Sequence, residues 1–429
     1  MISTINQLPG WSRNLTIYEV NLRQYSPGGT FREFREHLPR LKKLGVGILW
    51  FMPLYPIGVV NRKGSLGSYY SIRNYRAVDE LYGTLEEFTG LVKEIHDLGM
   101  YVILDWVANH TAWDHVWTKD HPEYYRLDVK GKFMPPFSEW EDVIGLNYNS
   151  TGMREAMIGD MCFWIENTGI DGFRCDMAHL VPTSFWEEAK EKLVTLKPDL
   201  FMLAESELRE LVNKAFHVLY NWNLYHCFND MAQGKKTVTD LRMLLQQEIF
   251  NFPKHAANML FISNHDENSW NGSEIERLGV ALEAFAVLIF MLPGMPLVYS
   301  GQEAGNAKRL KFFDKDLIEW REDKMFAVYD KLIALRDGHP VFHRGADPSD
   351  FSVIPTNCDN QVIALKFSEG ENQVMAILNL SPRAASFSVF TRAFPGEVYE
   401  LFSPPVPVAL GENPGFTLGA WQYKVYYSA

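Results

Sequence analysis

Five polar clusters in this sequence each stand at the end of a short apolar run. They are Asp105-Trp106-Val107-Ala108-Asn109-His110, Arg174-Cys175-Asp176, Ala204-Glu205, Asn264-His265-Asp266 and Gly301-Gln302-Glu303. Side chains alternate along a strand, so Arg174 and Asp176 point one way and Cys175 the other. An arginine beside an aspartate favours its ionised form. Asp176 is therefore suited to act as a nucleophile, and Glu205, at the end of the next run, is the candidate proton donor. Retaining glycosidases need two carboxyls about 5 to 5.5 Å apart, which adjacent strand ends can supply. Asp266 is then a third carboxylate, placed to stabilise positive charge on a sugar ring. Any one of these acids alone could equally cap a helix or pair at the surface. Three acids, two histidines and an arginine at matching strand ends are harder to explain that way.

The elements that must position these residues follow from periodicity. Eight apolar runs alternate with amphipathic stretches of helical length: 16–20, 47–51, 101–105, 172–176, 201–205, 217–220, 259–263 and 297–299. Repeated βα units of this kind predict a closed (β/α)8 TIM barrel, whose active sites form at the C-terminal ends of the strands. A helix is expected over 85–98, with Thr84 and Glu87 at capping-box spacing and Gly99 as its stop. The long segment between the third and fourth runs predicts a lobe over 112–150, and 152–167 reads as the helix leading into the fourth strand. After about His343 the pattern changes to short strands such as 361–367 and 373–380, an all-β sandwich domain. The expected division is a catalytic barrel over 1–111 and 151–343, the inserted lobe over 112–150, and the C-terminal domain over 344–429.

Composition narrows the partners. The chain has 429 residues, 47% hydrophobic and 22% charged, enough to bury a sizeable core in more than one unit. Its formal net charge of −12 repels phosphate backbones and anionic lipid, so neither nucleic acid nor a membrane is an expected partner. The four cysteines are scattered without a CxxC pair, and residues 1–15 lack the pattern of a secretory signal, so a cytoplasmic location is expected. The longest apolar stretch, 281–292, falls short of the about 20 residues that span a bilayer.

Four motifs then define a resemblance: Asp105-Trp-Val-Ala-Asn-His110, Gly172-Phe-Arg-Cys-Asp176, Leu203-Ala-Glu205 and Phe261-Ile-Ser-Asn-His-Asp266. In order and spacing they resemble the signature regions of the α-amylase family, glycoside hydrolase family 13. Segments 45–53, 144–148 and 294–303 agree with it. The resemblance implies Asp176 as nucleophile, Glu205 as general acid/base and Asp266 as transition-state stabiliser. It implies Tyr70, Asp105, His110, Arg174 and His265 as residues that hold the sugar. Tyr70 falls in the family's Gly-Tyr-Asp segment, although Ser71 stands here in place of the aspartate.

No cofactor is implied for the chemistry. Asn109 resembles a ligand that many family members use for structural calcium, but the histidine that often follows the nucleophile by four residues is Leu180 here. The implied substrate is an α-1,4-linked glucan or maltooligosaccharide. Flat aromatic rings suit the apolar faces of glucose, and Trp106, Trp113, Trp117, Trp140 and Trp270 lie in or near loops on the catalytic side. The same acids would serve an α-glucosidase or a glucanotransferase. A non-catalytic sugar-binding protein on the same barrel is the reading from another class, against which the complete acid set weighs.

Overall fold

The computed structural model describes residues 6–342, 351–392 and 396–428. The expected passage from barrel to C-terminal domain at 343/344 lies outside the described residues.

Eight parallel strands close into a barrel in sequence order. They are β1 (Ile17–Val20), β2 (Ile48–Phe51), β3 (Tyr101–Val107), β4 (Gly172–Asp176), β5 (Phe201–Ala204), β6 (Val218–Tyr220), β7 (Ala257–Leu260) and β8 (Met295–Tyr299). Every strand overlaps one of the eight apolar runs. Their residues are buried almost throughout, which explains why they read as continuous apolar runs and not as alternating ones. The seventh run is shifted, since β7 ends at Leu260. Beyond it the Ile262 carbonyl accepts from the Arg277 guanidinium at 2.8 Å, and Asp266 lies in the connection that follows.

Local signals account for the helices. Leu85–Asp97 opens with both halves of the capping box, Glu87 N to Thr84 Oγ1 at 3.2 Å and Thr84 N to Glu87 Oε2 at 2.9 Å. Gly99, at φ 74°, supplies the left-handed residue that ends it. Thr151–Thr168 is capped by Ser150 and leads into β4 as expected. In the lobe, strands His110–Ala112 and Val143–Gly145 pair antiparallel.

The chain falls into two compact units, one comprising residues up to 10, 17–220 and 309–319, the other 11–16, 221–308 and 320–429. The first contains β1 to β6 and the lobe. The second contains β7, β8 and the C-terminal strands β9 (Phe351–Ile354), β10 (Val362–Glu369), β11 (Asn372–Asn379), β12 (Ala385–Ser388), β13 (Val398–Glu400), β14 (Gly415–Leu418) and β15 (Tyr423–Ser428). These form an antiparallel sheet in the order β9-β10-β11-β15-β13 and a pair β12-β14. Alternate residues Val362, Ala364, Met375 and Ile377 of the larger sheet share a core with Ala385, Phe387 and Leu418 of the smaller.

Candidate active site

Parallel pairing fixes the side chains of the first unit. The register sets Asp105 beside Arg174 and Val107 beside Asp176, then Arg174 beside Leu203 and Cys175 beside Ala204. The ladder continues past the end of β5. Glu205 N donates to Cys175 O at 3.0 Å, and Ala178 N donates to Glu205 O at 3.1 Å, which holds Glu205 next to Asp176. Gly172 permits this spacing, because a Cβ there would lie 1.9 Å from Phe201 O.

The alternation expected over 174–176 holds, with a wider consequence. Arg174 is fully buried and donates to three carboxylates: Nη1 to Asp105 Oδ1 at 2.9 Å and Asp176 Oδ1 at 3.1 Å, Nη2 to Glu205 Oε2 at 2.7 Å. The guanidinium thus serves Asp176, Glu205 and Asp105 alike, not Asp176 in particular. Burial alone would lower its pKa, but the charges of Asp105 and Glu205 and the Tyr220 hydroxyl outweigh that and raise it, so it stays charged. Three carboxylates against one fixed cation leave two negative charges in excess.

Asp105 is held from the other side by Trp50 Nε1 at 3.1 Å and Tyr70 Oη at 3.0 Å, both on Oδ2. The Tyr70 ring stacks on Phe312 with centroids 6.3 Å apart. Ser71, where the family has an aspartate, donates to the Asp142 carbonyl at 3.0 Å and ties this segment to the lobe. Arg174 Nε donates to Tyr220 Oη at 3.1 Å. Trp50 and Tyr220 were not singled out as site residues from sequence. Their positions at strand ends were the available signal.

Met177 is a further residue that sequence reasoning missed. It adopts φ 42°, ψ 43°, a left-handed conformation rare for an unbranched non-glycine residue, and this turns its N–H onto Glu205 Oε2 at 2.9 Å. Glu205 therefore accepts from a backbone amide and a guanidinium on the same oxygen.

His110 is buried, and its pKa falls to about 4 through burial, against the opposing pull of Asp142 and a hydrogen bond to the Tyr70 backbone. It is a neutral imidazole at neutral pH. The Asn109 amide lies 3.2 Å from its Nδ1, and with the amide as donor the ring proton is on Nε2. Three of the lobe's acids, of the kind a calcium shell around Asn109 would need, already have partners. Asp142 pairs with Lys63 at 3.0 Å, Asp128 accepts from two amides of its own turn, and Asp114 accepts from Val59 N. Among the described residues no group of three or more His, Cys, Asp or Glu is arranged to hold a metal ion.

In the second unit His265 and Asp266 lie side by side after β7, with His265 Nε2 3.4 Å from Asp266 Oδ2 and Trp270 Nε1 donating to Asp266 Oδ1 at 3.2 Å. Of the five candidate tryptophans, Trp106 lies on β3, fully buried, its ring stacked on Tyr75 at 5.0 Å. It is a core residue with no face for a sugar.

Comparison with known proteins follows the same lines. The family model described as "Alpha amylase, catalytic domain" matches residues 12–142 and 136–323. The noncanonic maltogenic alpha-amylase AmyB from Thermotoga neapolitana superposes with a TM-score of 0.89 at 30% identity, covering 97% of this chain and 99% of that one. An alpha-amylase from Lactobacillus plantarum gives 0.86 at 30% identity, with 98% and 100% covered. Alpha-amylase MalA of Haloarcula japonica is 26% identical over 79% of this chain, and this chain spans about half of that protein, 51%.

Proposed function

Since this chain belongs to the α-amylase family, we propose that it is a retaining glycosidase acting on α-1,4-linked glucans and maltooligosaccharides. The observation that carries this reading is the single buried guanidinium of Arg174 bonded at once to Asp105, Asp176 and Glu205. In this reading the three carboxylates that Arg174 gathers are the nucleophile, the acid and a sugar-binding group.

In the first step Glu205 gives its proton to the glycosidic oxygen while a carboxylate oxygen of Asp176 attacks the anomeric carbon. The leaving sugar departs with that proton, and the remaining one is held as an ester of Asp176. In the second step Glu205, now ionised, takes a proton from water as its oxygen attacks the same carbon, and the ester bond breaks. Two inversions retain the configuration. Asp266 enters as stabiliser of the positive charge on the ring, supported by the family motif. Asp105, His110 and His265 bind sugar hydroxyls, and Tyr70 offers its ring. Neutral His110 suits this task, since it places no cation beside the oxocarbenium ion.

AmyB, similar over its full length, is maltogenic, so maltose is the first product to seek. α-Glucosidase action and glucanotransfer use the same acids and differ in product and acceptor. A cytoplasmic location belongs to the same proposal, supported by free Cys162, Cys175, Cys227 and Cys358. No helix among the described residues is long and apolar enough to cross a membrane. The test is to incubate the enzyme with soluble starch and with maltose through maltoheptaose, following products by chromatography and the first anomer by NMR. An α-anomer is expected, with no release by Glu205→Gln. A β-anomer as first product would end the role given to Asp176.

A further inference from the structure

Trp270 is the one exposed tryptophan among the described residues, with 53% of its surface in solvent. An indole of this size left in water is unusual for a ring that only packs. Its N–H is nonetheless directed, donating to Asp266 Oδ1 at 3.2 Å, while His265 Nε2 stands 3.4 Å from the other oxygen, Oδ2. The backbone around it is held on several sides. Residues Glu267–Asn271 form a single wide turn of π type, a form that recurs at functional sites. Glu267 N donates to Asn264 Oδ1 at 2.8 Å, and the Glu267 carboxylate accepts from Tyr225 Oη and from Asn271 Nδ2. The turn is held by these bonds, the ring is open to solvent, and its polar edge is tied to a carboxylate that the proposed function employs.

We propose that Trp270 is a positioning and specificity residue: its N–H orients the Asp266 carboxylate, and its exposed face receives a glucose ring of the substrate. This rests on the proposed function and adds to it a residue outside the family motif. The two roles reside in different parts of one side chain and separate by substitution. Trp270→Phe keeps a flat ring and removes the N–H, whereas Trp270→Ala removes both.

The experiment measures kcat and KM on maltotriose through maltoheptaose for the wild type and both variants, with thermal unfolding as a fold control. Trp270→Phe is expected to lower kcat about 10-fold with KM within about 2-fold, the signature of a lost hydrogen bond to a charged group that acts in the transition state. Trp270→Ala is expected to match that loss in kcat and also to raise KM about 5- to 10-fold. Wild-type kinetics in Trp270→Phe would overturn the orienting role. A KM in Trp270→Ala no higher than in Trp270→Phe would overturn the sugar-binding role. Failure of the proposed function reads differently: the wild type itself would release nothing from any α-glucan, and this inference would fall with it.

Discussion

The pair Lys190 and His217 offers a prediction whose sign follows from hydrogen-bond geometry and whose size follows from burial of the lysine. Lys190 lies on the helix Thr183–Leu196 and His217 just before β6, and both are buried. Met202 N donates to His217 Nδ1 at 3.1 Å, so the proton of the neutral imidazole must be on Nε2. That Nε2 stands 2.8 Å from Lys190 Nζ. An ammonium has no lone pair to accept it, so the contact requires Lys190 as a neutral amine, accepting from His217 and donating toward Leu200 O. Burial acts in the same direction and lowers the lysine from 10.5 to about 7, and burial with Lys190 lowers His217 as well. Between these limits the unfolded chain holds one more proton than the folded one. Stability from this group is therefore complete above pH 10.5, is lost as pH falls toward 7, and changes no further below. At about 1.4 kcal/mol per pH unit the fall from 10.5 to about 7 amounts to about 5 kcal/mol.

Lys190→Met removes this dependence and leaves His217 Nε2–H without its acceptor, at a cost of about 1–3 kcal/mol. The variant should thus be more stable than the wild type by about 2–4 kcal/mol at pH 7 and less stable by about 1–3 kcal/mol above pH 10. Urea unfolding of both proteins at intervals from pH 6 to 10.5 measures this. Exposed groups titrate equally in both and cancel in the difference. A difference that stays constant with pH would refute the neutral amine.

Three further outcomes are expected. Arg174→Lys replaces a fork of donors by one point charge, leaving buried carboxylates unpaired. It should lower stability by about 3–5 kcal/mol, read by thermal unfolding, and abolish activity. Gly172→Ala places a Cβ 1.9 Å from Phe201 O, so β4 and β5 must separate, at a cost of about 3 kcal/mol or more and with loss of the Arg174–Glu205 bond. A soluble variant with wild-type unfolding temperature would contradict that packing. Thr84→Ala removes the cap of Leu85–Asp97 and should lower stability by about 1 kcal/mol with kcat unchanged.

Much of the barrel was legible in the amino-acid order because its signals are local. Apolar runs buried on both faces, the Thr84/Glu87 capping box, Ser150 before Thr151–Thr168 and the paired alternation of β10 and β11 each act over a few residues. The acids at the strand ends were legible for the same reason, since a parallel barrel places its strand ends together. The end of β7 was less so, because Ile262 turns its carbonyl to Arg277, fifteen positions along, and not to a neighbouring strand.

What the chain order determined by itself was the set of elements and the chemical types at their ends. Only the tertiary structure decided that one guanidinium faces Asp105, Asp176 and Glu205, that Met177 twists left-handed to aim its amide at Glu205, and that Lys190 meets a histidine able only to donate. The physical reason is register and burial. Which donor meets which acceptor, and whether a charge survives there, depends on residues tens of positions apart arriving at the same few ångströms.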